Sequence, residues 1–144
     1  MPASYKAMHG DTVDYRTLDT SELDRIREID RTERIEAGAT AVGAFADDRL
    51  VGMGVVLPRI RPSTAQLVAL YVSDGHRSRG IGGRLSDELE RIARAAGDLE
   101  IVDSATPSAN TVHFYLGRGF EPMAEPLPEL YELEPEDVHM RKRL

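Results

Sequence analysis

Arg77-Ser-Arg-Gly-Ile-Gly-Gly-Arg84 constrains this chain more than any other stretch, because of what flanks it. Before it, Gln66-Leu-Val-Ala-Leu-Tyr-Val72 is apolar and β-branched, the composition of a strand. After it, Ile81, Leu85, Leu89, Ile92, Ala93 and Ala96 recur at helical spacing until Gly97 supplies a C-cap. A glycine-rich, arginine-flanked turn therefore joins the end of a strand to the start of a helix. The first N–H groups of a helix have no intrahelical acceptor and carry partial positive charge, which suits a phosphate. Gly80 and Gly82 let an anion approach the backbone, while Arg77, Arg79 and Arg84 add positive charge. A phosphate-bearing ligand is expected at this turn. Neither the Walker lysine followed by Ser/Thr nor the three-glycine Rossmann spacing is present.

The rest of the chain narrows the class. Its 144 residues suit a single domain, 1–144, with a loose, weakly patterned lead-in over residues 1–11. A content of 41% hydrophobic and 30% charged residues is that of an ordinary soluble domain. No apolar run is long enough to cross a bilayer and no basic-then-apolar leader stands at the N-terminus, so a cytoplasmic location and no membrane partner are expected. The absence of cysteine excludes disulfides, thiolate catalysis and cysteine-ligated metals. His9, His76, His113 and His139 are too scattered to suggest a metal site, so no metal is expected. A formal net charge of −7 argues against a general nucleic-acid binder. Arg141-Lys142-Arg143 reads as the polar side of an exposed terminal strand.

Periodicity and turn residues set the order of elements. Val13 to Leu18 forms a first strand, and Asp19 or Thr20 caps a helix carrying Leu23, Ile26 and Ile29, with Glu22 in its first turn. Ala39–Ala46 and Arg49–Leu57 form a hairpin turning at Asp47-Asp48. Gly52 and Gly54 share one face of the second strand, where another backbone or a ligand can come close. A loop with Pro58 and Pro62 leads to the strand ending at Val72. Leu99–Asp103 is a further strand, Ser108–Arg118 a helix closed by Gly119, and Val138–Leu144 a last strand. The proline- and glutamate-rich segment 121–136 reads as a surface loop with little regular structure. The result is a mixed α/β layout with the sheet covered by helices.

A second constellation, Phe114-Tyr115-Leu-Gly-Arg-Gly119-Phe120, follows the turn. Together the two resemble the GCN5-related N-acetyltransferase superfamily. That family's pyrophosphate turn has Arg or Gln, two residues, Gly, one residue, then Gly or Ala, matched by Arg77, Gly80 and Gly82. A hydrophobic-Tyr-Val strand end is matched by Leu70-Tyr71-Val72, and an aromatic-Tyr pair followed by Gly-Phe by Phe114-Tyr115 and Gly119-Phe120. The chain departs from the family with Asp74 where many members have Pro, and with Ser108 where an Asn commonly opens the later helix, Asn110 lying two residues on. The short passage from Arg34 to Ala39 implies reduced acceptor-side helices.

The resemblance implies a mixed, mostly antiparallel central sheet flanked by helices, with a splayed strand pair at an acetyl-CoA site. It implies that the backbone of Leu70, Tyr71 and Val72 meets the pantetheine arm and acetyl oxygen, and that the pyrophosphate rests on Arg77, Ser78, Arg79, Gly80, Ile81, Gly82 and Gly83, with Asn110 toward the arm. Tyr115 aligns with the tyrosine that acts as general acid toward the coenzyme A thiolate; the plainer alternative is a tyrosine packed beside Phe114 in the core. Asp30, Glu33 and Glu36 lie on the acceptor side, where solvated surface carboxylates are the simpler reading of each. The implied activity is direct acetyl transfer to a primary amine, of a small molecule or of a protein. An acyl-CoA sensor without transferase activity and a purely partner-binding domain are the alternatives, and a homodimer through the sheet edge or last strand stays open.

Overall fold

The computed structural model describes residues 12–19, 22 and 38–144. Strands β1 (Val13–Thr17), β2 (Thr40–Ala46), β3 (Arg49–Arg61) and β4 (Thr64–Val72) run antiparallel, each beside the next. A 3-10 turn, Asp74–His76, leads into helix α1 (Ile81–Ala95), the crossover that lets β5 (Glu100–Ala105) lie parallel to β4. Helix α2 (Ala109–Gly117), the two-residue β6 (Glu121–Pro122), α3 (Pro128–Leu133) and β7 (Val138–Arg143) complete the chain. The sheet order is β1-β2-β3-β4-β5-β7-β6, and every neighbouring pair but β4–β5 is antiparallel among the described residues. This is the mixed, mostly antiparallel sheet with flanking helices that the resemblance implied.

Local chemistry explains most of these elements. Asp47 and Asp48 both take positive φ, 49° and 65°, as a tight two-residue hairpin turn requires. After β1, the Asp19 N–H donates to Glu22 Oε1 at 3.0 Å and the Glu22 N–H to Asp19 Oδ1 at 2.9 Å. That reciprocal pair has the pattern of a capping box. Leu23, Ile26 and Ile29 of the expected helix, and Asp30, Glu33 and Glu36, lie outside the described residues. Helix α1 ends in a Schellman motif. Gly97 takes φ 94°, its N–H donates to the Arg94 carbonyl at 2.9 Å, and the Asp98 N–H donates to the Ala93 carbonyl at 3.0 Å.

Two expectations are corrected. Strand β3 runs on through Pro58 to Arg61, where a loop was expected. Its register with β4 jumps from Leu57↔Gln66 to Arg61↔Thr64, so Pro58 falls in the irregular stretch and costs no regular rung. Arg59, at φ 56°, instead donates its N–H to Asp98 Oδ2 at 3.0 Å. The 121–136 segment also holds more structure than its composition suggested. Pro128 starts α3, a position where its missing N–H is harmless, and Leu130 is buried.

The larger core lies between the sheet and α1. Ile81, Leu85, Leu89 and Ala93, four residues apart, are all buried against it. The close approach expected at Gly52 and Gly54 is made by this helix. A Cβ on Gly52 would lie 3.1 Å from Ile81 Cγ2, and one on Gly54 would lie 2.9 Å from Leu89 Cδ1. Overpacking a filled core costs about 1–3 kcal/mol. Gly54→Val is therefore expected to lower stability by roughly 2 kcal/mol, read as a fall of several degrees in Tm with the circular-dichroism spectrum of the folded state retained.

Candidate active site

The glycine-rich turn is built as an N–H cluster. Ser78 and Gly80 take φ 66° and 80°, and Gly80 is the N-cap of α1 without a side-chain cap. The first bond in this turn runs from Arg84 N–H to the Gly80 carbonyl at 3.0 Å. The N–H groups of Ile81, Gly82 and Gly83 stand ahead of it, and no acidic residue lies in the first turn to compete for an anion. Arg77, Ser78 and Arg79 are exposed around them. Arg77 leans back, with Nε donating to the Val72 carbonyl at 3.4 Å and Nη2 3.3 Å from Asp74. Arg84 points away from the turn, over the Tyr15 ring at 4.8 Å. Gly82 and Gly83 are small partly because α2 packs there. A Cβ would lie 3.3 Å from the Phe114 ring at Gly82 and 3.0 Å from Arg118 Nη1 at Gly83.

Beside the turn, β4 leaves β5. Their parallel rungs run from Thr64↔Glu100 to Leu67↔Asp103 and then stop, although β4 continues to Val72 and β5 to Ala105. The cause is local. Val56 pairs with Leu67 and Val55 with Ala69, so Val68 is an extra residue, a bulge that bends its strand. Beyond it, Ser73 N–H donates to the Val51 carbonyl at 2.8 Å. Antiparallel partners alternate between facing and turning away, so Tyr71 also faces β3, opposite Met53. Leu70 and Val72 thus aim their backbone N–H groups into the gap. Of the three residues expected along the arm, Leu70 and Val72 turn backbone donors into the gap and Tyr71 does not. The Tyr71 side chain is 57% exposed, while Leu70 and Val72 pack toward the α1 core.

Tyr115 is fixed at the inner end of this gap by the motif around it. Ser108 caps α2, accepting from the Thr111 N–H at 3.2 Å, as its type allows in place of Asn. At the other end Gly119 takes φ 94°, its N–H donates to the Leu116 carbonyl at 3.1 Å, and the Phe120 N–H donates to the Tyr115 carbonyl at 3.0 Å. This second Schellman motif brings Phe120 back onto Tyr115, edge to face with centroids 5.2 Å apart; Phe114 stands edge-on at 5.1 Å. The Gly-Phe pair therefore locks the tyrosine in place. Tyr115 is only 6% exposed, and Asn110 is exposed on the first turn of α2.

The Tyr115 hydroxyl is hydrogen-bonded to Asp103, a residue whose only expected part was as the end of a strand. Asp103 is 5% exposed, occupies the last β4–β5 rung, and among the described residues has no partner at Oδ2. Burial, then the nearby Glu134 and Asp137, push its carboxyl up to about 8, against the lowering effect of the Tyr115 hydroxyl and the Ser104 backbone. Burial and the same carboxylate push the Tyr115 phenol well above its ordinary value. The signal in the sequence was a lone carboxylate inside the apolar run Ile101-Val102-Asp103.

Other candidates separate from this site. His76 Nδ1 lies 3.2 Å from Ser73 Oγ, and His113 is exposed on α2. His139 is buried; its Nε2–H donates to the Glu134 carbonyl at 2.9 Å, which leaves Nδ1 to accept from Ser104 Oγ at 3.2 Å. Of the C-terminal basic run, Arg141 pairs with Glu100 at 2.6 Å and Lys142 turns inward to buried Glu90 at 3.0 Å. A cavity of about 330 Å³ between β3 and α3, lined by Leu57, Pro58, Arg59, Ile60, Gln66, Glu129 and Leu130, sits by the Leu57↔Gln66 rung. That is the opposite end of β4 from the turn. Among the described residues no helix is long and apolar enough to cross a membrane, and no group of three or more His, Asp or Glu is placed to hold a metal.

Comparison with known proteins agrees with this fold. The family model described as "Acetyltransferase (GNAT) family" matches residues 6–120, most of the chain. The chain belongs to the GNAT acetyltransferase family. Among curated proteins, mycothiol acetyltransferase of Kocuria rhizophila is 40% identical over 53 residues, a segment covering 37% of this chain and only 18% of that protein. Among solved structures, a GNAT family acetyltransferase from Elizabethkingia anophelis with acetyl-CoA bound superposes with a TM-score of 0.73 at 14% identity, covering 92% of this chain and 98% of that one. PaiA N-acetyltransferase of Thermoplasma acidophilum, in complex with coenzyme A, gives 0.71 at 21% identity, covering 92% and 99%.

The elevated Asp103 carboxyl has a consequence for stability. Between its ordinary value of 3.8 and about 8, the folded chain holds a proton that the unfolded chain has lost. The stabilising contribution is therefore full below pH 4 and declines as pH rises toward 8, by up to about 1.4 kcal/mol per pH unit. Asp103→Asn removes the titrating group. Thermal melts from pH 5 to pH 8 are expected to show wild-type Tm falling relative to that of D103N.

Proposed function

We propose that this protein transfers an acetyl group from acetyl-CoA directly to a primary amine, of a small molecule or of a protein. The observation that carries the reading is the juxtaposition of three features. They are the N–H groups of Ile81, Gly82 and Gly83 ahead of the first helical bond, the outward amides of Leu70 and Val72, and a buried tyrosine hydroxyl at the closed end of the gap. An anionic group fits the first and an amide-bearing arm the second. Exposed Arg77 and Arg79 add positive charge beside the anion, and Asn110 adds a polar group near the start of α2. When bound there, acetyl-CoA supplies an activated acyl group whose departing sulfur needs a proton.

The chain's own residues then divide the work. The Leu70 and Val72 amides orient the arm and polarise the acyl oxygen, a preorganised donor set whose cost is already met in the folded strand. Tyr115 holds a proton at Oη at neutral pH, because its phenol is raised rather than lowered by its surroundings. Phe114 and Phe120 keep its ring from moving and exclude water from one side. The chain contains no cysteine, which favours direct attack by the amine over a thiol-linked acetyl-enzyme.

Release of free thiol from acetyl-CoA in the presence of a panel of amines tests this reading. Acceptor-dependent release is expected; tight coenzyme binding without it would make the chain a sensor. Tyr115→Phe is expected to lower kcat by about 100-fold, the usual worth of a general acid, with KM for acetyl-CoA changed by less than about twofold. Unchanged kcat on a true acceptor would remove Tyr115 from the chemistry.

A further inference from the structure

We propose that Asp103 works through Tyr115: its buried carboxyl positions the tyrosine hydroxyl at the closed end of the gap and resupplies the proton that the hydroxyl gives up. This rests on the acetyl-transfer reading and names a residue that the family pattern does not contain. Asp103 stands on the last rung before β4 and β5 part, flanked across the strands by Leu67 and Met140, both buried. Its side chain is closed to bulk water, one oxygen lacks a partner among the described residues, and the Tyr115 hydroxyl is its side-chain hydrogen-bond partner.

Among the described residues, the charged groups around it leave the carboxyl without a cation. Glu134 and Asp137, before β7, are both negative and oppose its ionisation. Lys142, on β7, is tied to Glu90 at 3.0 Å and lies over the Phe120 ring. His139 is next in sequence to Met140 and so turns to the opposite face of the sheet, where Ser104 and the Glu134 carbonyl hold it. From β5 itself only the Ser104 backbone N–H assists the charged form. A neutral carboxyl is the form these surroundings favour at neutral pH.

A neutral Asp103 changes what Tyr115 can do. Its O–H donates to the lone pair of Tyr115 Oη, and the phenol proton is then free to point into the gap. Alone, Tyr115 would be a poor acid, since losing its proton would leave a buried phenolate beside a carboxyl group. With Asp103 behind it, as the amine nitrogen forms the new C–N bond and the C–S bond breaks, Tyr115 Oη gives one proton to the departing sulfur and takes one from Asp103 Oδ. The phenol ends as it began, and Asp103 ends as a carboxylate. The proton lost by the amine goes to solvent, from which Asp103 is later reprotonated. A carboxyl near 8 is also close to the ordinary thiol value of about 8.5, the matching that favours proton transfer.

The test combines a measurement on the coenzyme-free protein with kinetics. Carbon-13 NMR of the labelled wild-type carboxyls is expected to show Asp103 titrating near 8. Asp103→Asn keeps the shape of the side chain but has no proton to resupply. It is expected to lower kcat about 100-fold, to leave KM for acetyl-CoA within about twofold, and to abolish the basic limb of the kcat profile near pH 8. Combined with Tyr115→Phe it is expected to add little to the loss caused by either change, because the two act as one unit. Wild-type kcat in D103N, a basic limb that persists unchanged, or an Asp103 carboxyl titrating in the ordinary acidic range would each overturn the proposal while leaving acetyl transfer intact. No thiol release by the wild-type protein with any amine would instead overturn acetyl transfer, and with it the role of Asp103.

Discussion

The structure turns on the place where β4 stops pairing with β5. Up to Leu67↔Asp103 the two strands share a regular parallel ladder. One extra residue, Val68, then bends β4 and shifts its side-chain alternation, so that Val68 and Ala69 both pack on the smaller core while Leu70 and Val72 face α1. Backbone donors in a closed sheet would be spent on the neighbouring strand; here those of Leu70 and Val72 are left available beside a helix N-terminus. The bulge, the gap and the N–H cluster are thus one construction.

The two helices hold that construction open. Helix α1 is pressed onto Gly52 and Gly54, where the lack of side chains lets Ile81 and Leu89 approach the sheet. Helix α2 is tied across to it: Arg118 Nη2 donates to the Gly83 carbonyl at 3.2 Å and pairs with Asp87, and the Phe114 ring covers Gly82. The turn and Tyr115 therefore cannot shift independently. Glycine at 82 and 83 serves this helix contact as well as access to the backbone, a dual role that separates them from Gly80, which is needed for its positive φ.

Much of this was legible in the sequence because it rests on local patterns. The spacing of Ile81, Leu85, Leu89 and Ala93 fixed α1 and its buried face, and Gly97 and Gly119 marked both Schellman ends. Asp47-Asp48 announced a hairpin, and Phe114-Tyr115 with Gly119-Phe120 pointed to a constellation whose packing is now explained. What was not legible depends on contacts between distant residues. Nothing local to Val68 distinguishes a bulge from a straight strand, and nothing local to Asp103 says that Leu67, Met140 and Tyr115 will enclose it. The 121–136 segment was misread for the same reason: its prolines and glutamates suggest a loop, but burial of Leu130 stabilises a short helix. Pro58 likewise sits in a strand because the partner strand tolerates an irregular register there.

The central proposal is that ligand binding uses the backbone of the gap and of the α1 N-terminus together. Backbone amide NMR of the labelled protein titrated with acetyl-CoA tests it most directly. The largest shifts are expected at Leu70, Val72, Ile81, Gly82 and Gly83, saturating together. Shifts centred instead on Leu57 to Ile60 and Glu129, around the cavity by α3, or no saturable shift in either set, would contradict it.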